Sequence, residues 1–206
     1  MEIYRLSFTG ASFFLHESLE LAKIYIDKED WKKAVDYLIL ENVNNRSTST
    51  IKRESSELVL RLKSLPSQLL QRFISTDADD AKIILLYAIL KSYPIIKSFC
   101  LDVLYEKSQM MDFEIQEYEI NAFFRKQEEL YDEFDKKSDA TKYKLKQVVF
   151  KILSDATLIK STKNKTIIKP IIETATAELI LKDTDESYLK ALLMDAHEIT
   201  MIKGSL

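Results

Sequence analysis

SDATKYKLKQVVFKILSDATLIKSTKNKTIIK, residues 138–169, carries the pattern that decides how the chain folds. Ser138 is a good helix N-cap, and Asp139 suits the positively polarised first turn behind it. At about 100° per residue, Leu145, Val148, Val149, Ile152 and Ala156 fall on one apolar stripe. The opposite arc holds Tyr143, Lys144, Gln147, Lys151 and Ser154, with Lys142 and Lys146 on one flank. Past this helix the period changes. TLIKSTKNKTIIK, residues 157–169, is two β-branched runs around a Lys163-Asn164-Lys165 turn, which predicts a β-hairpin. The stretch therefore reads as an amphipathic basic helix followed by a basic hairpin.

Upstream, the segment from about 119 to 135 predicts an acidic helix anchored by Phe123, Phe124, Leu130, Tyr131 and Phe134. Helix, short break, basic helix and hairpin is the order of a winged helix-turn-helix, whose second helix lies in the major groove of DNA. MMDFEIQEY, residues 110–118, reads as a junction between subdomains. Before it, helices are expected from Ser12 (as N-cap) to Lys28, and from behind the Asp30 cap up to the polar NVNNRS at 42–47. Another is expected from Ser49 to Lys63, with a short one after Pro66. The segment 78–92 is apolar almost all round and reads as a helix buried in the middle of a bundle, and Pro94 starts the next. Beyond the hairpin, Pro170 is expected to open a helix over 171–182, with a last one over 185–196. The predicted fold is all-α with one short β-hairpin wing. It is a compact bundle of two subdomains, 1–110 with a helix-turn-helix at about 30–63 and 111–206 with the winged element at about 119–169.

Composition agrees. Of 206 residues only two are glycine and three proline, too few for the tight turns of a β-sandwich or for a Gly-rich phosphate loop. The single Cys100 excludes an internal disulfide and a Cys-based zinc site. The longest uncharged apolar run, IILLYAIL at 83–90, is far short of the about 20 residues that cross a bilayer. The N-terminus lacks the pattern of a signal peptide. These features predict a cytoplasmic protein that does not enter the membrane.

Charge is strongly segregated although the net is −3. Residues 102–135 carry eleven acidic and three basic groups, and residues 136–169 carry two acidic and ten basic. Catalytic constellations are nearly absent. HESLE, residues 16–20, has Glu20 where a zinc-binding HExxH motif needs its second histidine. No catalytic residue, metal ligand, cofactor or small-molecule substrate is expected, and the chain does not read as an enzyme.

What the charge does point to is duplex DNA. Lys142, Lys144, Lys146 and Lys151 would neutralise phosphates, and Tyr143 lies on the same face. Gln147 could read an adenine edge, because its amide both donates and accepts. Lys160, Lys163 and Lys165 of the hairpin would reach the backbone or an adjoining groove. A second candidate face is formed by Ser49, Lys52, Arg53, Ser56 and Lys63 on the 49–63 helix. Arg46 and a run of hydroxyls stand at its start. The rival readings are a protein-interaction adaptor, with the acidic and basic regions each docking a partner, and an RNA-binding helical bundle.

Three blocks, FTGASFFLHES (8–18), DWKKAVDYLILENVNNRSTSTIKRESSELVLRL (30–62) and TKYKLKQVVFKILSDATLI (141–159), resemble the BrxA family of BREX phage-exclusion systems. The resemblance spans nearly the whole chain. It implies a compact all-helical cytoplasmic protein with two helix-turn-helix elements that binds double-stranded DNA as an accessory of a defence system. Other BREX subunits are then partners. At Ser154-Asp155-Ala156-Thr157 the chain departs from the family's Arg-Glu-Ala-Gly-like turn, losing a basic group and a glycine.

Overall fold

In the computed structural model, which describes residues 4–10, 12–42 and 47–205, helices α1 (Leu15–Lys28), α2 (Trp31–Asn42) and α3 (Thr48–Leu62) pack against one another. Asp30 starts α2 as anticipated. Its carboxylate accepts the N–H groups of Lys32 (2.8 Å) and Lys33 (3.1 Å), donors that a helix start otherwise leaves open. Ser47 caps α3 by accepting from the Thr50 N–H at 3.3 Å. The start of α1 differs from expectation. It begins at Leu15, behind Phe14 with a left-handed φ of 51°, and not at Ser12. The Ser12 carbonyl instead accepts from the guanidinium of Arg61, which is fully buried on the inner side of α3 and also donates to the Tyr93 hydroxyl. A buried cation claiming that carbonyl keeps residues 12–14 out of the helix.

Next come α4 (Ser67–Ser75), α5 (Ala78–Ser92) and α6 (Pro94–Phe99), the last running through a π-helical turn, Cys100–Tyr105, into α7 (Glu106–Gln109). Asp77 caps α5 by accepting from the Asp79 and Asp80 N–H groups. Residues 83–90 are buried on every side, as their pattern predicts, and each such Leu or Ile stabilises the fold by roughly 1.5–3 kcal/mol. At Tyr93 the chain turns by 113°. No single helix among the described residues is long and apolar enough to cross a membrane.

Helices α8 (Glu117–Leu130), α9 (Asp132–Asp135) and α10 (Asp139–Asp155) follow. The predicted acidic helix is thus two pieces, broken at Tyr131, whose extended backbone (φ −132°) lets its ring stack on Tyr4 at 3.8 Å. Ser138 caps α10, as predicted, by accepting from the Thr141 N–H. The hairpin forms with Ile159 opposite Ile167, held by Lys160 N–H to Thr166 O (2.9 Å) and Ile168 N–H to Leu158 O (2.8 Å). Its turn is Ser161–Asn164, earlier than expected, because the Ser161 hydroxyl accepts from the Asn164 N–H and the Asn164 side chain from the Thr166 N–H. Sequence reasoning missed a third segment. Residues 113–115, read as a junction, pair antiparallel with the returning arm through Ile167 N–H to Phe113 O (2.7 Å) and Glu114 opposite Thr166.

Between α10 and the hairpin, Thr157 sits at φ 60°, a region costly for a β-branched residue. Relief of about 1–2 kcal/mol of strain outweighs the roughly 0.5–1 kcal/mol of extra chain entropy lost by glycine. Thr157→Gly is therefore expected to raise the thermal midpoint by a few degrees, read by circular dichroism. A lowered midpoint would mean that the Thr157 hydroxyl bond to the Ala156 carbonyl (2.7 Å) matters more than the strain.

The chain closes with α11 (Thr174–Asp183), α12 (Ser187–Ala191) and α13 (Ala196–Ser205). Pro170 does not open α11. Residues 170–172 are not helical, Ile171 is exposed, and the helix starts behind Glu173, whose carboxylate pairs with Arg72 of α4. The expected 185–196 helix is cut short by Leu193, at φ 66°, and an Asp195–Glu198 reciprocal cap starts α13 afresh. Two polar clasps hold this end down. Asp80 binds Arg72 and the Thr176 hydroxyl, and Asp183 binds Lys91 (2.5 Å) and the Tyr87 hydroxyl (2.5 Å). Phe99 of α6 meets Phe123 of α8 and Phe150 of α10 edge-on, at 5.0 and 5.4 Å. One hydrophobic cluster runs through residues on both sides of position 110.

Candidate nucleic-acid interface

Helix α10 buries Leu145, Val148, Val149, Ile152 and Leu153, which leaves Tyr143, Lys144, Gln147 and Lys151 outward, as the projection predicts, while Ser154, projected onto the same arc, is half-buried. The hairpin folds back beside this helix because its returning arm is stitched to residues 113–115, immediately before α8. Between the N-terminal half of α8, the flank of α10 and the hairpin tip lies a groove of about 670 Å³. Tyr143, Lys146 and Gln147 line it from α10, and Lys163 and Lys165 from the hairpin. Five of the predicted residues thus share one concavity. Asn121 and Thr162 also line it, as does Glu117.

The cations are not equivalent. Lys142 turns back under the helix, its side chain only 14% exposed, between Glu128 (3.5 Å) and Asp135 (3.7 Å). Lys151 is exposed but pairs with Asp155 at 2.6 Å. Lys165, on the returning arm, pairs with Glu117 at 3.4 Å and lies over the Phe150 ring. Lys146 makes no ion pair among the described residues; its ammonium lies 5.1 Å from the centroid of Phe124, and its side chain lines the groove. Lys144, Lys160 and Lys163 are exposed, with no carboxylate within 4.0 Å among the described residues. Lys137, exposed in the turn before α10 and equally without an ion pair, joins them. The acidic and basic stretches therefore neutralise each other only in part.

On α3, Ser49, Lys52, Arg53, Ser56 and Lys63 at its C-cap are all exposed. Arg46 lies outside the described residues. Glu57, on the edge of this face, points inward and accepts from the Tyr93 and Ser7 hydroxyls, so it does not sit among the cations.

Residues considered for other chemistry have structural surroundings. Cys100 is fully buried, and desolvation pushes its thiol pKa up, away from the reactive thiolate. Among the described residues no group of three or more His, Cys, Asp or Glu side chains is placed to hold a metal ion. Sequence reasoning missed Asn121, hidden in an acidic helix whose spacing marked only its core face, and Thr162, in the turn whose position it misplaced.

These features define an all-helical protein bearing a cation-lined groove between two helices and a hairpin. The chain belongs to the BrxA family, whose sequence model matches residues 2–184. It is 29% identical over 178 residues to the BREX protein BrxA of Bacillus cereus (strain H3081.97), covering 85% of this chain and 87% of that protein. It also shares its fold with the crystal structure of an uncharacterized protein from Magnetospirillum magneticum. That match has a TM-score of 0.73 and 20% identity, and covers 92% of this chain and 97% of the other.

Proposed function

We propose that this BrxA-family protein is a non-catalytic accessory of a BREX phage-defence system that binds double-stranded DNA, working in the cytoplasm beside other BREX subunits. The observation that carries the reading is the shared groove, where Lys146 and Gln147 of α10 face Lys163 of the hairpin. The order α6–α7, segment 113–115, α8, α10 and hairpin supports a winged helix-turn-helix, with α10 as the helix that enters the major groove. Helices α2 and α3 are a second helix-turn-helix in this reading, and Lys52, Arg53 and Lys63 add phosphate contacts. The groove offers lysines, amides and aromatic rings, and its one carboxylate among the described residues, Glu117, is paired with Lys165, a set that suits contact and not bond-making. The acidic α8–α9 corner, with Asp132, Glu133 and Asp135 exposed, repels the phosphates of a duplex laid on that side and favours approach from the hairpin.

The test is fluorescence anisotropy of a labelled duplex across a salt series. With six or so lysine–phosphate contacts, affinity should fall by about 10³ between 50 and 200 mM salt. No binding at the lowest salt would overturn the reading. Retention of BREX subunits at high salt would then favour the adaptor, and stronger competition by structured RNA the RNA-binding bundle.

A further inference from the structure

Asn121 and Gln147 come from different helices, α8 and α10, yet both side-chain amides line the same groove. Neither makes a hydrogen bond within the protein among the described residues. Other amides nearby have structural work. Gln127 accepts from the Tyr4 hydroxyl at 2.8 Å, and Asn164 braces the hairpin turn. Two amides from separate elements, left open in one concavity between unpaired lysines, are placed for a ligand with its own donors and acceptors.

The ring of Tyr143, 65% exposed, forms the adjacent wall. An amide presents a donor and an acceptor side by side, matching N6–H and N7 of adenine in the major groove. Guanine offers two acceptors there, O6 and N7, and would leave the amide oxygen facing one of them. Thymine adds a methyl group that an aromatic or apolar side chain can cover. No arginine, the usual reader of guanine, lines the groove among the described residues.

We propose that the groove selects A·T base pairs in duplex DNA, with Gln147 and Asn121 reading adenine edges and Tyr143 covering a thymine methyl. This inference rests on the duplex-binding reading and adds that binding is sequence-selective through residues of two helices. Phosphate contacts set affinity and base contacts set selectivity, so the two are separable by experiment.

Three duplexes of equal length would be titrated by anisotropy: A·T-rich, G·C-rich, and the A·T-rich duplex with 7-deazaadenine in place of adenine, which lacks the N7 acceptor. The wild type should prefer the A·T duplex by about tenfold or more, since one bidentate base contact accounts for that discrimination. The deaza duplex should lose most of this preference. Asn121→Ala and Gln147→Ala should each lower the preference without changing the salt slope, and both side chains are exposed, so folding is spared. Equal affinity for all three duplexes, or undiminished binding to the deaza duplex, would overturn sequence selection and leave duplex binding standing. Absence of binding to any duplex at the lowest salt would overturn both.

Discussion

Reversing Lys144, Lys146 and Lys163 to glutamate is expected to abolish duplex binding at 50 mM salt while leaving the helical circular dichroism intact. Each lysine that neutralises a phosphate releases a counterion, and affinity changes by about 0.9 of a log unit per contact for each tenfold change in salt. Removing three contacts and adding three repelled charges should weaken binding by about 10³ or more and flatten the salt dependence. Folding is spared because, among the described residues, Lys144 and Lys163 make no ion pair, and Lys146 gives up its position over the Phe124 ring, worth about 0.5–1 kcal/mol. The comparison variant reverses Lys52, Arg53 and Lys63 on the α3 face. A smaller loss there would make α3 an auxiliary contact. Unchanged binding in the groove variant would remove the groove from the mechanism.

The largest stability effect is expected from Asp80→Ala. Asp80 is almost fully buried, accepts from the Thr76 and Thr176 hydroxyls, and pairs with Arg72 at 2.8 Å, so it joins α4, α5 and α11. Without it the buried Thr176 hydroxyl loses its acceptor, and among the described residues Arg72 keeps only Glu173 and Thr176 as partners. Breaking a buried pair from one side costs about 3–5 kcal/mol. The Arg72 side chain retains 22% exposure, which puts the expected loss near the low end, about 3 kcal/mol. For a chain this long the thermal midpoint should fall by roughly 6–12 °C. Asp80→Asn keeps an acceptor and should lose less. A loss below about 1 kcal/mol would mean that the clasp is already open to water.

Helices were legible wherever a cap and an apolar stripe agreed, as at Asp30 and Ser138. They were misjudged where a distant group intervened. Arg61 takes the Ser12 carbonyl and shortens α1, Tyr131 breaks the acidic helix to stack on Tyr4, and the Arg72–Glu173 pair stands where α11 begins. The outward face of α10 could be read from periodicity, because one helix determines it. Which lysines remain available could not. That depends on Glu117 and Glu128 of α8 and Asp135 of α9, which have no periodic relation to α10; the Lys151–Asp155 pair, four residues apart on α10 itself, is the exception that the sequence could have shown. Asn121 escaped notice for the same reason, since a groove wall built from two helices leaves no local pattern.

The pairing of residues 113–115 with the returning arm has a practical corollary. A shortened chain that drops residues 158–168 to strip away the hairpin lysines also strips Phe113 and Glu114 of their partners and bares the apolar side chains of Leu158, Ile159 and Ile167's neighbours. Such a truncation would unravel the anchorage of α8 together with the tip it was meant to remove. Single replacements at the apex, Lys163 above all, are the cleaner surgical instrument.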